Sequence, residues 1–202
     1  MKKRYLSLCC LFAAVLVIGY GIFLSAEQRK LSQKIIRLHV VANSDSEQDQ
    51  NDKMKLRDFV LSQIEDLGCM QENAQEVLKK NLPELQSKSQ AYLRSIGNLQ
   101  PVSVSLKNEL FPTREYDTFS LPAGVYQSLR VTMGEGNGHN WWCVIFPSIC
   151  LTANMRELEL ACTAAGFSYG ELKLITQADD GYCLKFKTME ILQSIKNRIA
   201  DN

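Results

Sequence analysis

Apolar positions along this chain change rhythm several times, and each rhythm predicts an element. Ile35 to Ala42, IIRLHVVA, is almost continuously apolar and β-branched, which predicts a first strand. Asn43-Ser44-Asp45-Ser46 ends that run and opens a helix. Ser46 with Asp49 matches a capping box, and Glu47, Asp49 and Asp52 sit where the helix dipole favours negative charge. Leu56, Phe59, Val60, Ile64 and Leu67 then recur at helical spacing up to Gly68, so one face is expected to be buried. A second helical period runs through Ala74, Leu78, Leu82, Leu85, Ser89, Tyr92 and Ile96 and closes at Gly97-Asn98. Pro83 interrupts it, and a kink or break is expected there.

The rhythm next shifts towards a period of two. Val102 to Leu106 reads as a short strand, Asn108 to Asp117 as a turn-rich connection, and Thr118 to Leu121 as a lead through Pro122 and Gly124 into the next strand. Tyr126 to Met133 alternates, with Leu129, Val131 and Met133 on one face and Tyr126, Ser128, Arg130 and Thr132 on the other. Trp141 to Phe146 is apolar on both faces, the pattern of a central strand covered on both sides, and Pro147 ends it. Gly134-Glu135-Gly136-Asn137-Gly138 lies between them, so the two strands are predicted to form a hairpin at the centre of the sheet. Beyond Cys150, Asn154 to Ala165 reads as a short helix stopped by Gly166. Leu172 to Thr176 and Tyr182 to Lys187 read as a hairpin around Asp179-Asp180-Gly181, and Thr188 caps a last helix. Strands not separated by single crossover helices predict an α+β fold, a mainly antiparallel sheet packed against helices.

Composition adds a leader to this picture. Met1-Lys2-Lys3-Arg4 is a positive cap on Tyr5 to Leu24, a run with no charge and about the length that spans a bilayer. Residues 1–26 are therefore expected to act as a signal peptide or signal anchor, residues 27–34 as a linker, and residues 35–202 as one extracytoplasmic domain. Leu24-Ser25-Ala26 is a poor match to a small-residue cleavage site, so cleavage and retention both stay open. If the leader is retained, the membrane is itself a partner. A net charge of +1 over 202 residues supplies no basic face for nucleic acid.

Candidate chemistry is sparse. Gly134 to Gly138 lacks both the G-K-[ST] of a phosphate loop and the dinucleotide fingerprint, and Glu135 would repel an anion, so turn geometry explains it. Cys143 with His139 or His39 admits a cysteine-dependent hydrolase, although Cys143 sits in mid-strand. Asp45, Asp49 and Asp52 lack the calcium-loop pattern, and helix capping accounts for them; no metal or cofactor is expected. In an exported chain Cys143 and Cys150 are candidates for a disulfide, the alternative being two small buried apolar side chains. Trp141 and Trp142 point to opposite faces of their strand. One is expected in the core, and the other, near Tyr126 and Arg130, as an interface anchor or a sugar-stacking surface of a cell-wall-binding module.

Arg37-Leu38-His39-Val40-Val41-Ala42-Asn43-Ser44-Asp45-Ser46, Leu121-Pro122-Ala123-Gly124-Val125-Tyr126, Leu129-Arg130-Val131, the glycine loop, and Asn140-Trp141-Trp142-Cys143-Val144 with Phe146-Pro147 and Cys150 resemble the stage II sporulation protein R family of endospore-forming bacteria. The resemblance runs from about Ile35 to Cys150. It implies a non-enzymatic signal, exported across the forespore membrane into the intermembrane space. There it would activate the membrane-embedded aspartic protease, stage II sporulation protein GA, that processes the sigma-E precursor. The residues expected to contact the protease are Arg130, Glu135, Asn140 and one of Trp141 and Trp142, with Asn43, Ser44 and Asp45 on the same surface.

Overall fold

The computed structural model describes residues 28–68, 73–147 and 154–176, with positions 5, 11, 12, 15, 16, 19 and 26 of the leader. In chain order the elements are β1 (Ile36–Val41), α1 (Glu47–Asp66), α2 (Ala74–Ser95), β2 (Val102–Phe111), β3 (Arg114–Glu115), β4 (Ser120–Leu121), β5 (Gly124–Met133), β6 (Asn140–Phe146), α3 (Met155–Ala164) and α4 (Tyr169–Thr176). Among the described residues no helix is long and apolar enough to cross a membrane. The leader lies mostly outside those residues, as do the expected strand Tyr182–Lys187 and the helix after Thr188. Residues 28–33, read as part of the linker, are helical, and Leu31 and Ser32 there are buried.

The chain divides into two compact units. The larger, residues 32–109 and 125–168, holds a four-stranded sheet of order β2-β5-β1-β6. β1 pairs parallel with β5 and antiparallel with β6. The Gly134 N–H donates to the Pro101 carbonyl at 2.8 Å, which sets the start of β2 beside the end of β5, so these neighbours run antiparallel. The sheet is thus mixed and mainly antiparallel, in an α+β fold. Leu38, Val40, Leu129, Val131, Met133, Cys143 and Ile145 form one face and join Leu56, Val60 and Ile64 of α1 and Leu78, Leu85 and Leu93 of α2 in one core. Ser46 caps α1 by accepting from the Asp49 N–H, and Gly68 follows its end with φ 66°, as the capping pattern and helical period predict. The smaller unit, residues 1–31, 110–124 and 169–202, holds the β3–β4 ribbon, with α4 packed on β4.

Four expectations are corrected. β5 and β6 are not hairpin partners, because β1 lies between them. Every residue of β1 is buried, so the strand needs neighbours on both edges, and the central place satisfies both. The six residues from 134 to 139 can span the roughly 10 Å of two strand spacings that crossing β1 requires, which a two-residue turn cannot. Among the described residues β6 is accordingly an edge strand and not a central one. Leu172 to Thr176 is helical, not extended: the Thr176 hydroxyl donates to the Leu172 carbonyl one turn back at 3.0 Å. β2 runs on to Phe111 through residues read as turn. Of the kink or break expected at Pro83 the break is absent, since α2 is continuous from Ala74 to Ser95.

Candidate functional site

The loop from Gly134 to His139 crosses the carboxyl end of β1 and is stitched to it. Asn137 and Gly138 donate N–H bonds to the carbonyls of Asn43 and Ala42, each at 3.0 Å. The Asn43 side chain accepts from the Glu135 N–H at 2.9 Å and donates to Asp49 at 2.9 Å, so one amide ties the loop to the first turn of α1. Contact this close explains the glycines better than chain reversal alone does. A Cβ on Gly138 would lie 2.2 Å from the Ser44 carbonyl oxygen, and one on Gly134 would lie 2.2 Å from the Asn43 amide oxygen. Gly134 also sits at φ 59°, where other residues are strained.

Charged groups complete this rim. Asp45 accepts from both the backbone N–H and the ring Nδ1 of His139, and the backbone bond is the main reason its pKa is lowered. Lys53 is 5% exposed and donates to the His139 carbonyl at 3.0 Å and to Gln50 at 2.6 Å; burial lowers its pKa. Asp49 is buried and takes bonds from Ser44, Asn43 and Gln100, with the Ser44 hydroxyl chiefly holding its pKa down. Asp45, Glu135 and His139 remain exposed at the tip.

Below the rim, the face of the sheet opposite α1 and α2 carries polar rows. Register aligns Val41 with Thr132 and Asn140, His39 with Arg130 and Trp142, and Arg37 with Ser128 and Val144. His39 is the hub. Its Nδ1 donates to the Glu109 carboxylate at 3.1 Å, its Nε2 faces the Asn140 side-chain amide at 3.0 Å, and the Trp142 ring meets it edge-on at 5.3 Å. Arg130 donates to the other Glu109 oxygen at 2.9 Å and to the Thr132 hydroxyl at 3.2 Å. Burial raises the pKa of Glu109, but Arg130, Ser128 and His39 together outweigh it and hold the carboxyl at about 2. Arg37, fully buried, lies over the Tyr126 ring at 5.2 Å.

Residues predicted for a single surface therefore fall into groups. Arg130, Asn140 and Trp142 come together on the polar face, and Glu135 and Asp45 stand at the rim. Asn43 and Ser44 spend their side chains on bracing the loop and the start of α1. Trp141 points to the helical face, half-buried against the core, with the Arg57 guanidinium 4.7 Å from its ring centre. Both tryptophans are half-buried, on opposite faces as predicted. Sequence reasoning missed Glu109, which lay in a segment read as turn, and the joining role of His39. A signal for the latter was present: Arg37 and His39 are two polar residues two apart in an otherwise apolar strand, so one face of β1 had to meet polar partners.

The geometry offers little to a nucleophile. Cys143 joins the core on the helical face, away from His39, and is disulfide-bonded, so it presents no thiolate. His39 has both ring nitrogens engaged. Cys162 is a free, buried thiol whose pKa burial pushes up to about 12. Among the described residues no group of His, Cys, Asp and Glu is arranged to hold a metal ion. What the arrangement does offer is a solvent-facing surface of Arg130, Asn140 and Trp142, and arginine and tryptophan are among the side chains that dominate protein interfaces.

Comparison with known proteins adds two findings. The model of the stage II sporulation protein R family matches residues 32–156. The chain is also 31% identical over 208 residues to stage II sporulation protein R of Bacillus subtilis (strain 168), covering 96% of this chain and 85% of that one. No solved structure matches it.

Proposed function

The chain belongs to the stage II sporulation protein R family, and we propose that it acts in sporulation as an exported signal between compartments. In this reading residues 5–24 carry it across the forespore membrane, and it is released or stays anchored in the intermembrane space. It then binds stage II sporulation protein GA, the membrane-embedded aspartic protease, and shifts it towards the state that processes the sigma-E precursor. Such a trigger needs only a higher affinity for the active state of its receptor, and no catalysis of its own.

The observation that carries the reading is the braced polar face. Arg130, Asn140 and Trp142 are half-exposed or exposed, yet each is held by the Glu109–His39 pair or packed against it. Side chains ordered before contact lose less entropy on binding, which favours a recognition surface. Glu135 and Asp45 extend that surface over the rim. Asn43 and Ser44 hold the rim in place, and Trp141 supports it from the core side.

The test is reconstitution in a non-sporulating host that expresses the protease, the sigma-E precursor and this chain with its leader. Precursor processing should appear only when the chain is exported, and should fall sharply in Trp142→Ala and Asn140→Ala variants that still reach the outer compartment folded. Processing without the chain, or none with a folded exported chain and a competent protease, would overturn the trigger reading. Full processing by both variants would leave the trigger and move the surface elsewhere.

A further inference from the structure

Among the described residues β2 forms one open edge of the four-stranded sheet, and its outward backbone groups are treated unequally along its length. Because Gly134 donates to the Pro101 carbonyl, the odd-numbered residues of β2 bond towards β5 and the even-numbered N–H groups point outwards. The first two of these are covered by α2. Gln90 accepts from the Val102 N–H at 2.8 Å and donates to the Gln100 carbonyl at 3.0 Å, and Gln86 accepts from the Val104 N–H at 3.0 Å. These two glutamines stand where a neighbouring strand would be. Among the described residues the cover stops there. Leu106, Asn108 and Leu110 continue the outward series, Asn108 and Leu110 are exposed, and Pro112 ends it because it has no N–H to donate.

We propose that Leu106 to Leu110 is a self-pairing edge, where a second copy of this chain adds antiparallel through a two-fold axis at Asn108. In that register Asn108 faces Asn108 and Leu106 faces Leu110, and every outward N–H of the segment finds a carbonyl on the other copy. Lys107 of each copy then faces Glu109 of the other. Lys107 already lies 3.5 Å from its own Glu109, so the contact extends an existing ion cluster. Moving the axis by one residue either way sets Lys107 against Lys107 or Glu109 against Glu109, and like charges directly opposite destabilise a strand pair. The ladder cannot lengthen, since the Val104 N–H is taken by Gln86 at one end and Pro112 stands at the other. Self-complementarity in hydrogen bonds, apolar contact and charge favours a second copy over an unrelated strand.

The test uses the full-length chain in neutral detergent micelles and needs no protease. Light scattering should show a concentration-dependent dimer whose association constant falls roughly tenfold or more in Asn108→Pro, which removes both central N–H groups. Proline is tolerated on an edge where the N–H faces away from the sheet, so the fold and its melting temperature should be unchanged. Asn108→Cys should give a disulfide-linked dimer under mild oxidation, beyond any formed by the native cysteines, because opposed residues of a bonded pair lie about 5.5 Å apart. Lys107→Cys should not. A wild-type chain that stays monomeric would overturn the proposal, as would a dimer unaffected by Asn108→Pro or equal cross-linking at positions 107 and 108. A monomer whose Asn108→Pro variant loses precursor processing would overturn self-pairing and assign the edge to a strand of another protein.

Discussion

Replacing Glu109 by glutamine tests whether the polar face is held together by charge. The substitution keeps the shape and removes the negative charge shared by Arg130 and His39. Burial works against that charge, yet Arg130, Ser128 and His39 bring the pKa from 4.5 to about 2. The difference, 4.5 minus about 2, corresponds to about 3 kcal/mol in favour of the charged form. The side chain is only 13% exposed, so solvent screening removes a minor part. Because the folded pKa is depressed, this stability is complete above the unfolded value of 4.5 and is lost as pH falls towards 2. Glu109→Gln should therefore cost about 2–3 kcal/mol near pH 7 and well under about 1 kcal/mol near pH 2. Urea unfolding of the full chain in neutral micelles, followed by fluorescence of Trp141 and Trp142, measures both. Trp142 touches His39, so it reports on the cluster directly. A difference of equal size at both pH values, or below about 0.5 kcal/mol near pH 7, would refute the reasoning.

Three further variants probe the bracing and the edge cover. Gly138→Ala pushes a methyl against the Ser44 carbonyl, a backbone atom that cannot swing away; thermal unfolding should register a loss of about 1–3 kcal/mol. Asn43→Ala removes both the acceptor for the Glu135 N–H and the donor to Asp49. It should cost about 1–2 kcal/mol and speed hydrogen exchange at the Glu135 amide, and unchanged exchange would mean the loop is held elsewhere. The double change Gln86→Ala and Gln90→Ala exposes the Val102 and Val104 N–H groups. The expected loss is about 2 kcal/mol or more, with an increased tendency to aggregate through the uncovered edge, followed by turbidity on mild heating.

Legibility along the chain tracked how local each feature's cause is. Ser46 as a cap, Gly68 and Gly166 as helix stops, the buried stripe of α1 and the opposite facing of Trp141 and Trp142 all depend on neighbours a few residues away. Leu172 to Thr176 failed because a five-residue segment with so few apolar positions suits either a strand or a helical turn. β2 failed beyond Leu106 because Asn108 and Glu109 resemble turn residues until their partner on β5 is known. The disulfide of Cys143 is present, while Cys150 lies outside the described residues.

By itself the sequence determined the α+β class, the helices α1 to α3, most strand cores, and the motifs that identify the family. These depend on periodicity, capping and turn residues, whose energies act within one or two turns of chain. Only the tertiary structure decided that β1 separates β5 from β6 and that Glu109 and Asn140 meet at His39. Periodicity states which face of a strand is apolar but carries no information on which strand lies beside it. Pairing is settled by which arrangement buries β1 on both edges while seating its two polar side chains, and that balance exists only once the sheet has formed.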